Sequence, residues 1–414
     1  MKNTIRILLA LACLVAGNQA FAQVIGKALV VLGQAEKISA DGANKVSLKV
    51  GDEIEEKDFV QTKAGGIVQI GLKDGTFIAV RPNTTMSVDE FILDKANPKK
   101  EKQVTKLFAG SIQAVTGGIG KRLPTNVSYT TPTATMGIRG TDLSASFNAK
   151  TGLTAASVNS GKVQFQRVNN FSSFRIGGSL AGIAPTLSGL SVNTEYPQFN
   201  TSEEAADKET VTITPGQGVE ATPDTLPKKT PDAFKQATTE QAAADKAVAD
   251  SGQTSVVTVA GTADKAADQA KAAVAALQAK AEDPEATAEE KAQATEQAQK
   301  LQAAADDAVE KVLSQKEALV NAPTVDTAAL STLSTTVQTA TEAVGNIVKE
   351  VVSTGLISAS EIAEEVTEEE ATEEEATEEE ATEEEATEEE ATEEEATEEE
   401  ATEEEATEEE ATEE

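Results

Sequence analysis

Apolar and polar residues alternate with a period of two in short runs along the first half of the chain. One run breaks at Asp74-Gly75, a pair that favours the positive φ of a tight hairpin turn, and then resumes. The runs 143–147 and 163–166 alternate in the same way. Because a strand places successive side chains on opposite faces, this pattern predicts an all-β domain over residues 23–222. Two sheets packed as a sandwich, or one rolled sheet, would each satisfy it.

The end of this domain is marked by a change in composition. Residues 211–219 predict a closing strand and turn, and the three prolines within 223–231 predict a semi-rigid linker. A Gly- and Ser-rich passage at 177–193 fits either a long loop or additional weak strands.

Residues 232–360 are rich in Ala, Gln, Glu and Lys, which favour helices. Pro284 and Pro323 interrupt the segment, which predicts three or four helices. An apolar stripe at steps of three and four is formed by Leu330, Leu333, Val337, Ala340, Val344, Ile347 and Val351. A weaker stripe is formed by Leu301, Ala305, Val309, Val312, Lys316 and Leu319. Either an intramolecular helical hairpin or a homo-oligomer through this region would bury them.

Residues 361–414 hold 32 Glu and no Lys or Arg, including eight consecutive ATEEE copies at 371–410. Glu side chains three and four residues apart would repel each other in a helix. The sequence therefore predicts a multidomain chain that ends in a disordered acidic tail. Such a tail would associate only loosely with cations, because it lacks the spaced Asp, Asn and Gly of a calcium loop.

The N-terminus resembles a secretory signal peptide over residues 1–22. Lys2 and Arg6 precede an apolar run, and the segment closes with Ala20-Phe21-Ala22, which predicts cleavage before Gln23. The alternatives are an uncleaved anchor, for which the run is short, and a lipoprotein attached through Cys13. Cleavage would leave a chain that does not span a membrane and is periplasmic, secreted or at the cell surface.

Composition excludes several classes of chemistry. The chain has one cysteine, within the predicted signal peptide, and no histidine. The mature chain therefore lacks thiolate and imidazole groups for a triad or a zinc site, and we expect neither an enzyme nor a cofactor. A carboxylate-based hydrolase is disfavoured because the chain has no Trp and only two Tyr to line a sugar cleft. A net charge of −36 argues against nucleic acid as a partner.

Residues 26–166 resemble the FecR domain family. The motifs occur in the family's order as Gly51-Asp52, Asp58-Phe59-Val60-Gln61-Thr62, Leu72-Lys73-Asp74-Gly75-Thr76, Arg81-Pro82-Asn83-Thr84, Leu107-Phe108-Ala109-Gly110-Ser111, Thr131-Pro132, Gly137-Ile138-Arg139-Gly140-Thr141 and Gly161-Lys162-Val163. The residues that we interpret as family signature, with an architectural role, are Asp74, Gly75, Thr131, Pro132, Gly137, Arg139, Gly140, Thr141 and Gly161. Arg139 needs a carboxylate partner such as Asp142, exposure to solvent, or an anionic ligand.

The resemblance implies a non-catalytic extracytoplasmic module. The best-known FecR proteins are single-span regulators that sense an outer-membrane receptor and signal to a cytoplasmic sigma factor. This chain shows neither their cytoplasmic helical domain nor a transmembrane segment before the FecR-like part, so it looks more like the exported, stand-alone members. The sequence favours a binding and scaffolding protein that recognises an envelope protein or surface component. An envelope signalling accessory that docks on a receptor or membrane regulator is the alternative.

Overall fold

The computed structural model describes residues 23–168, 210–325 and 327–362. The predictions for the signal peptide, for the passage at 177–193 and for the repeats of the acidic tail lie outside these residues.

Fifteen strands occur in the described part of the chain. They are β1 (Val24–Leu32), β2 (Ala35–Ile38), β3 (Lys45–Ser47), β4 (Glu53–Glu55), β5 (Phe59–Thr62), β6 (Ile67–Leu72), β7 (Phe77–Val80), β8 (Thr85–Ile92), β9 (Lys102–Val115), β10 (Val127–Thr130), β11 (Ala134–Asn148), β12 (Leu153–Arg167), β13 (Thr210–Ile213), β14 (Gly218–Thr222) and β15 (Thr225–Lys229).

All of these strands belong to one hydrogen-bonded sheet, and the long strand β9 rolls it over. Over residues 102–109 β9 pairs with β8, and over 103–106 it also runs parallel to β10. Over 110–115 it pairs instead with β7 and β11. The rolled sheet encloses an apolar core in which Tyr129 and Phe165 are fully buried. Of the two predicted arrangements, the rolled sheet is the one observed.

The hairpin of β6 and β7 forms as predicted, with Val68 opposite Val80 and Gly71 opposite Phe77. Both of its faces are buried, however, including the face that carries Gln69. An alternating pattern is usual for a half-exposed sheet, so the second buried face must be covered by other elements.

The sheet continues into the segment for which the sequence predicts a linker. Strands β13 and β14 both pair with β12, and β15 pairs with β14. Pro227 is tolerated in β15 because, among the strands that the structure describes, β15 pairs with β14 alone and so lies at an edge of the sheet.

Five α-helices have both ends within the described residues: a short α1 (Gly118–Arg122), then α2 (Pro231–Asp250), α3 (Val256–Glu282), α4 (Ala288–Asn321) and α5 (Thr327–Ser353). Helix α2 begins directly after β15 because the Thr230 hydroxyl accepts a hydrogen bond from the backbone N–H of Asp232. The four long helices confirm the prediction of three or four, with breaks near Pro284 and Pro323. No helix among the described residues is long and apolar enough to cross a membrane.

The chain divides into two compact units. Among the described residues, the first contains those from 23 to 270 and from 300 to 349, and the second contains residues 271–299 and 350–362. The described part of the second unit is helical and buries small apolar residues, among them Val274, Leu277, Ala294, Ala298, Val351 and Ile357. Before α4, Thr287 and Glu290 exchange side chain-to-backbone hydrogen bonds and form a capping box.

Within the first unit, helices cover the outer face of the rolled sheet. A second apolar cluster joins Leu29, Phe77, Ala79 and Val115 of the sheet to Val256, Val257 and Ala260 of α3, Val312, Leu319 and Val320 of α4, and Leu333 and Val337 of α5. Members of both apolar stripes, including Val312 and Val337, are therefore buried within the same chain.

Candidate functional site

The candidate site is the helix-docking face, which we define as the surface of the sheet domain around residues 72–77, 113–122, 139–142 and 161. Asp74 lies in the β6–β7 turn, and Gly75 beside it has a φ of +83°. The carboxylate of Asp74 accepts hydrogen bonds from the backbone N–H of Thr76 at 2.9 Å, from the Thr76 hydroxyl at 2.9 Å and from the N–H of Ile119 at 3.2 Å. These bonds tie the turn to α1. Burial raises the pKa of Asp74, although the hydrogen bonds from Thr76 oppose this effect.

Helix α4 places a lysine on this turn. Lys316 is fully buried, its Nζ donates to the carbonyl of Thr116 at 3.0 Å, and Nζ lies 5.2 Å from the centre of the Phe77 ring. Burial lowers the pKa of Lys316 to about 8, and the carboxylate of Asp264 acts in the opposite direction. A buried ammonium group is stable only where specific partners compensate its lost hydration, so these contacts fix the position of α4 on the sheet.

A second buried acid, Asp142, lies at the start of the half of β11 that pairs with β9. The carboxylate of Asp142 accepts a hydrogen bond from Gln113 Nε2 at 2.8 Å. Helix α3 passes directly over it at Gly261, where a Cβ atom would lie 2.6 Å from Oδ2 of Asp142. Glycine at this position therefore permits the close approach of α3. Burial raises the pKa of Asp142 to about 6, although hydrogen bonds from Gln113 and Asn159 lower it.

The raised pKa of Asp142 predicts a pH dependence of stability. The protonated carboxyl is favoured in the folded state, so its stabilising contribution is present below the ordinary pKa of 3.8 and is lost as the pH rises through about 6. We expect Asp142→Asn to remove this loss, which is on the order of 2–3 kcal/mol. Urea titrations of both proteins at pH 4 and pH 7 measure the difference.

A matched control is Asp41→Asn. Asp41 is exposed, and the Ser39 hydroxyl lowers its pKa, so its contribution runs in the opposite direction with pH. An equal pH dependence in wild type and Asp142→Asn would contradict the burial of an ionisable carboxyl at position 142.

The Gly137–Thr141 motif forms an irregular bulge in β11. The register of β11 and β12 shifts between Arg139 and Asp142, opposite Gly161. Gly140 and Gly161 have φ of +57° and +73°, and a Cβ on Gly161 would lie 2.4 Å from the carbonyl oxygen of Gly140. The N–H of Gly161 donates to Oδ2 of Asp268 on α3 at 3.0 Å. The two glycines therefore allow a close backbone contact between β11 and β12, and Asp268 of α3 hydrogen-bonds to it.

Other side chains of the sheet also contact the helices. Gln69 Oε1 accepts a hydrogen bond from the N–H of Val256 at 2.8 Å, and Gln69 Nε2 donates to the Ser255 hydroxyl at 2.8 Å. Gln69 thus satisfies the start of α3. Arg81, which is buried, lies 3.6 Å from the Glu240 carboxylate of α2.

The nine sequence-predicted residues fall into two groups. Six of them lie on the helix-docking face. Its β6–β7 turn holds Asp74 and Gly75, and its β11–β12 bulge holds Arg139, Gly140, Thr141 and Gly161. Thr116 connects those parts, because its hydroxyl donates to the carbonyl of Thr141 at 2.8 Å and its own carbonyl accepts from Lys316.

The remaining residues lie at the β10–β11 turn and along β11. The Thr131 hydroxyl is 2.7 Å from that of Thr154, inside a buried threonine cluster, and Pro132 follows it in the turn. Gly137 pairs with Gln164 along β11.

Arg139 is not paired with Asp142. Asp142 bonds to Gln113 instead, and among the described residues the half-buried Arg139 side chain makes no hydrogen bond or ion pair. Lys162 stands directly opposite Arg139 on β12.

Sequence reasoning did not assign Lys316, Gln69, Asp264 or Gly261 to a site. Lys316 did leave a signal, because it is a charged residue within an apolar helical stripe. Gln69 occupies the polar phase of an alternating strand, a position usually exposed to solvent, and so gave none.

The polar groups of the helix-docking face make hydrogen bonds and ion pairs that hold protein segments together. Within residues 23–168, 210–325 and 327–362, no group of three or more Asp, Glu, Cys or His residues is arranged to hold a metal ion. Lys316 hydrogen-bonds from α4 to the sheet domain, while Asp74 and Asp142 accept hydrogen bonds from within the sheet domain itself.

Comparisons with known proteins bear on the sheet. Residues 58–164 match the family model described as FecR protein, which confirms the resemblance within 26–166. Two crystal structures described as a "putative anti-sigma factor" from Parabacteroides distasonis ATCC 8503 are similar at 13% and 12% identity, with TM-scores of 0.27 and 0.26. Each alignment covers 42% of this chain and 58% of the other, so this chain spans less than two thirds of the length of those chains. A search of curated proteins found no match.

Proposed function

We propose that this chain, which carries a FecR domain over residues 58–164, is a non-catalytic binding and scaffolding protein of the cell envelope. The observation that supports it best is the occupied helix-docking face. The Asp74 turn and the Gly140–Gly161 contact are both engaged by the chain's own α3 and α4. The FecR domain and these helices would therefore act as one module.

Recognition of an envelope component would then use the surface that the helices leave free. Val46 on β3 and Val50 in the turn that follows are the large apolar residues exposed on one such surface, at 49% and 45%. Among the described strands, β3 pairs only with β2, so its other edge offers backbone hydrogen-bonding groups as well.

The alternative is an envelope signalling accessory that docks on a receptor or membrane regulator. The FecR match favours it, because the resemblance implies a role in sensing. It requires the same free surface but a different occupant. In either case the acidic tail would add bulk charge and loose cation association, without a dedicated metal site.

Photo-crosslinking in cells tests the proposal. A photoreactive residue is placed at Val46 or Val50, and for comparison at Lys311, which is exposed on α4. We expect an envelope protein or wall component to be captured from positions 46 or 50 and not from 311. The same capture after truncation behind Ser360 would assign recognition to the folded part and not to the tail.

The outcomes separate the two functions. A receptor or membrane regulator captured at positions 46 or 50 would favour the signalling accessory. Self-crosslinks together with surface components would favour the scaffold. Equal capture at all three positions would argue against a specific binding surface on β3.

A further inference from the structure

A small cavity lies inside the first unit, where α1, α3, α4 and α5 meet. Its volume is about 10 Å³, and alanine and valine side chains of the three long helices form most of its wall. Three polar residues also line it: Lys121, Asp264 and Thr341. A cavity of this volume accommodates about one water molecule.

Two polar atoms in this wall have no hydrogen-bond partner among the described protein groups. They are Oδ2 of Asp264 and Oγ1 of Thr341, and both are inaccessible to solvent. Asp264 as a whole is only 5% exposed. Buried polar atoms in folded proteins are almost always hydrogen-bonded, to protein or to ordered water, and a carboxylate oxygen is especially costly to leave without a donor.

The neighbouring charges select a neutral occupant. The other oxygen of Asp264 already accepts from Lys121 Nζ at 2.9 Å, and the Asp264 charge also acts on buried Lys316. A third cation would be repelled by these two ammonium groups. The cavity also presents only two free oxygens, far fewer than the six to eight that calcium takes.

We propose that one water molecule is bound in this cavity, donating a hydrogen bond to Oδ2 of Asp264 and bonded to the hydroxyl of Thr341. It joins α3 to α5 on the side of α3 where Lys121 of the sheet domain is bound. Asp264 then has a partner on each oxygen, and the contact between the helices and the FecR domain is completed by a solvent molecule.

Replacement of Thr341 by valine tests the proposal, because the sign of the effect depends on the water. Valine has the shape and the helix propensity of threonine but no hydroxyl. If the water is present, Thr341→Val removes one of its partners, and we expect the Tm of the full chain to fall by about 2–4 °C. If the cavity is dry, the substitution removes an unsatisfied hydroxyl and the Tm rises or stays constant, which would overturn the proposal.

Two further variants and one structure complete the test. Thr341→Ser keeps the hydroxyl and should restore the Tm towards wild type. Thr335→Val is the matched control, since the Thr335 hydroxyl bonds to the carbonyl of Ser331 on the exposed side of the same helix. A high-resolution crystal structure of the wild-type chain should show an isolated density peak within hydrogen-bonding distance of Asp264 and Thr341. The Tm of the wild type is also compared in sodium chloride and in choline chloride. If the Tm differs between the two salts in the wild type but not in Asp264→Asn, the occupant is a cation and the proposal is overturned.

Discussion

Replacement of Lys316 by alanine is expected to destabilise the first unit by about 3–5 kcal/mol. The substitution removes the donor to the Thr116 carbonyl and the cation over Phe77, and it leaves a cavity where a fully buried side chain was packed. It also takes away the positive charge that faces Asp74, Asp142 and Asp264. Urea denaturation followed by circular dichroism measures the loss.

Two comparisons make this result specific. Lys311→Ala changes an exposed lysine of the same helix, which forms an ion pair with Asp307 four residues earlier. This substitution should lower the free energy of unfolding by less than about 0.5 kcal/mol. Lys316→Met keeps most of the volume but removes the charge and the hydrogen bond to Thr116, so its difference from Lys316→Ala reports the packing. A loss at Lys316 no larger than that at Lys311 would show that α4 does not bury this ammonium in solution.

Lys316 also predicts a second pH effect. Its pKa in the folded state, about 8, lies below the ordinary lysine value of 10.5. Between these values the unfolded chain holds a proton that the folded chain has released, so stability should rise as the pH increases from 8 to 10.5. Lys316→Met should lose this rise.

Replacement of Gly161 by alanine is expected to cost about 3 kcal/mol or more. A Cβ atom would lie 2.4 Å from the Gly140 carbonyl oxygen and 2.6 Å from that of Arg139, and both are backbone atoms that cannot rotate away. The φ of +73° adds the ordinary strain of a left-handed conformation. Either β11 or β12 must move, and the N–H bond to Asp268 on α3 would move with it.

Gly140→Ala is the natural comparison. Gly140 also has a positive φ, of +57°, but open space surrounds the position of its Cβ. Only the backbone strain remains, about 1–2 kcal/mol. If chemical denaturation gave equal losses for the two variants, the close contact between the strands would not be what requires glycine at 161.

These two experiments also bear on the proposed function. Both substitutions loosen the helix-docking face without touching Val46 or Val50. If the FecR domain and its helices are one module, a destabilised face should lower the stability of the sheet and of α3–α4 together. If the helices detach while the sheet remains folded, the face becomes free for an external partner, and the signalling alternative gains a second surface.

Much of the local structure could be predicted because it depends on neighbouring residues. The β6–β7 hairpin follows from alternation around Asp74-Gly75, and the helix breaks follow from Pro284 and Pro323, which cannot donate a backbone hydrogen bond. The FecR resemblance likewise rested on short motifs in order. Of the alternatives that the sequence left open for Arg139, pairing with Asp142 is not the one observed, because proximity in a strand does not decide which side chain fills the space beside a bulge. Gln113 reaches Asp142 from the adjacent strand instead.

Periodicity, turn chemistry and motif order predict the strands of the β domain, the helical character of 232–360 and the resemblance of the sheet to FecR proteins. The positions of the helices on the sheet depend instead on long-range contacts. The alternation at β6 predicts a polar face, yet Gln69 on that face is buried and caps α3. The weaker apolar stripe, which contains Lys316 and lies on α4, packs against the sheet. Contacts such as Lys316 with Thr116 join residues 200 positions apart, and no local pattern encodes a contact whose energy depends on burial by a distant segment.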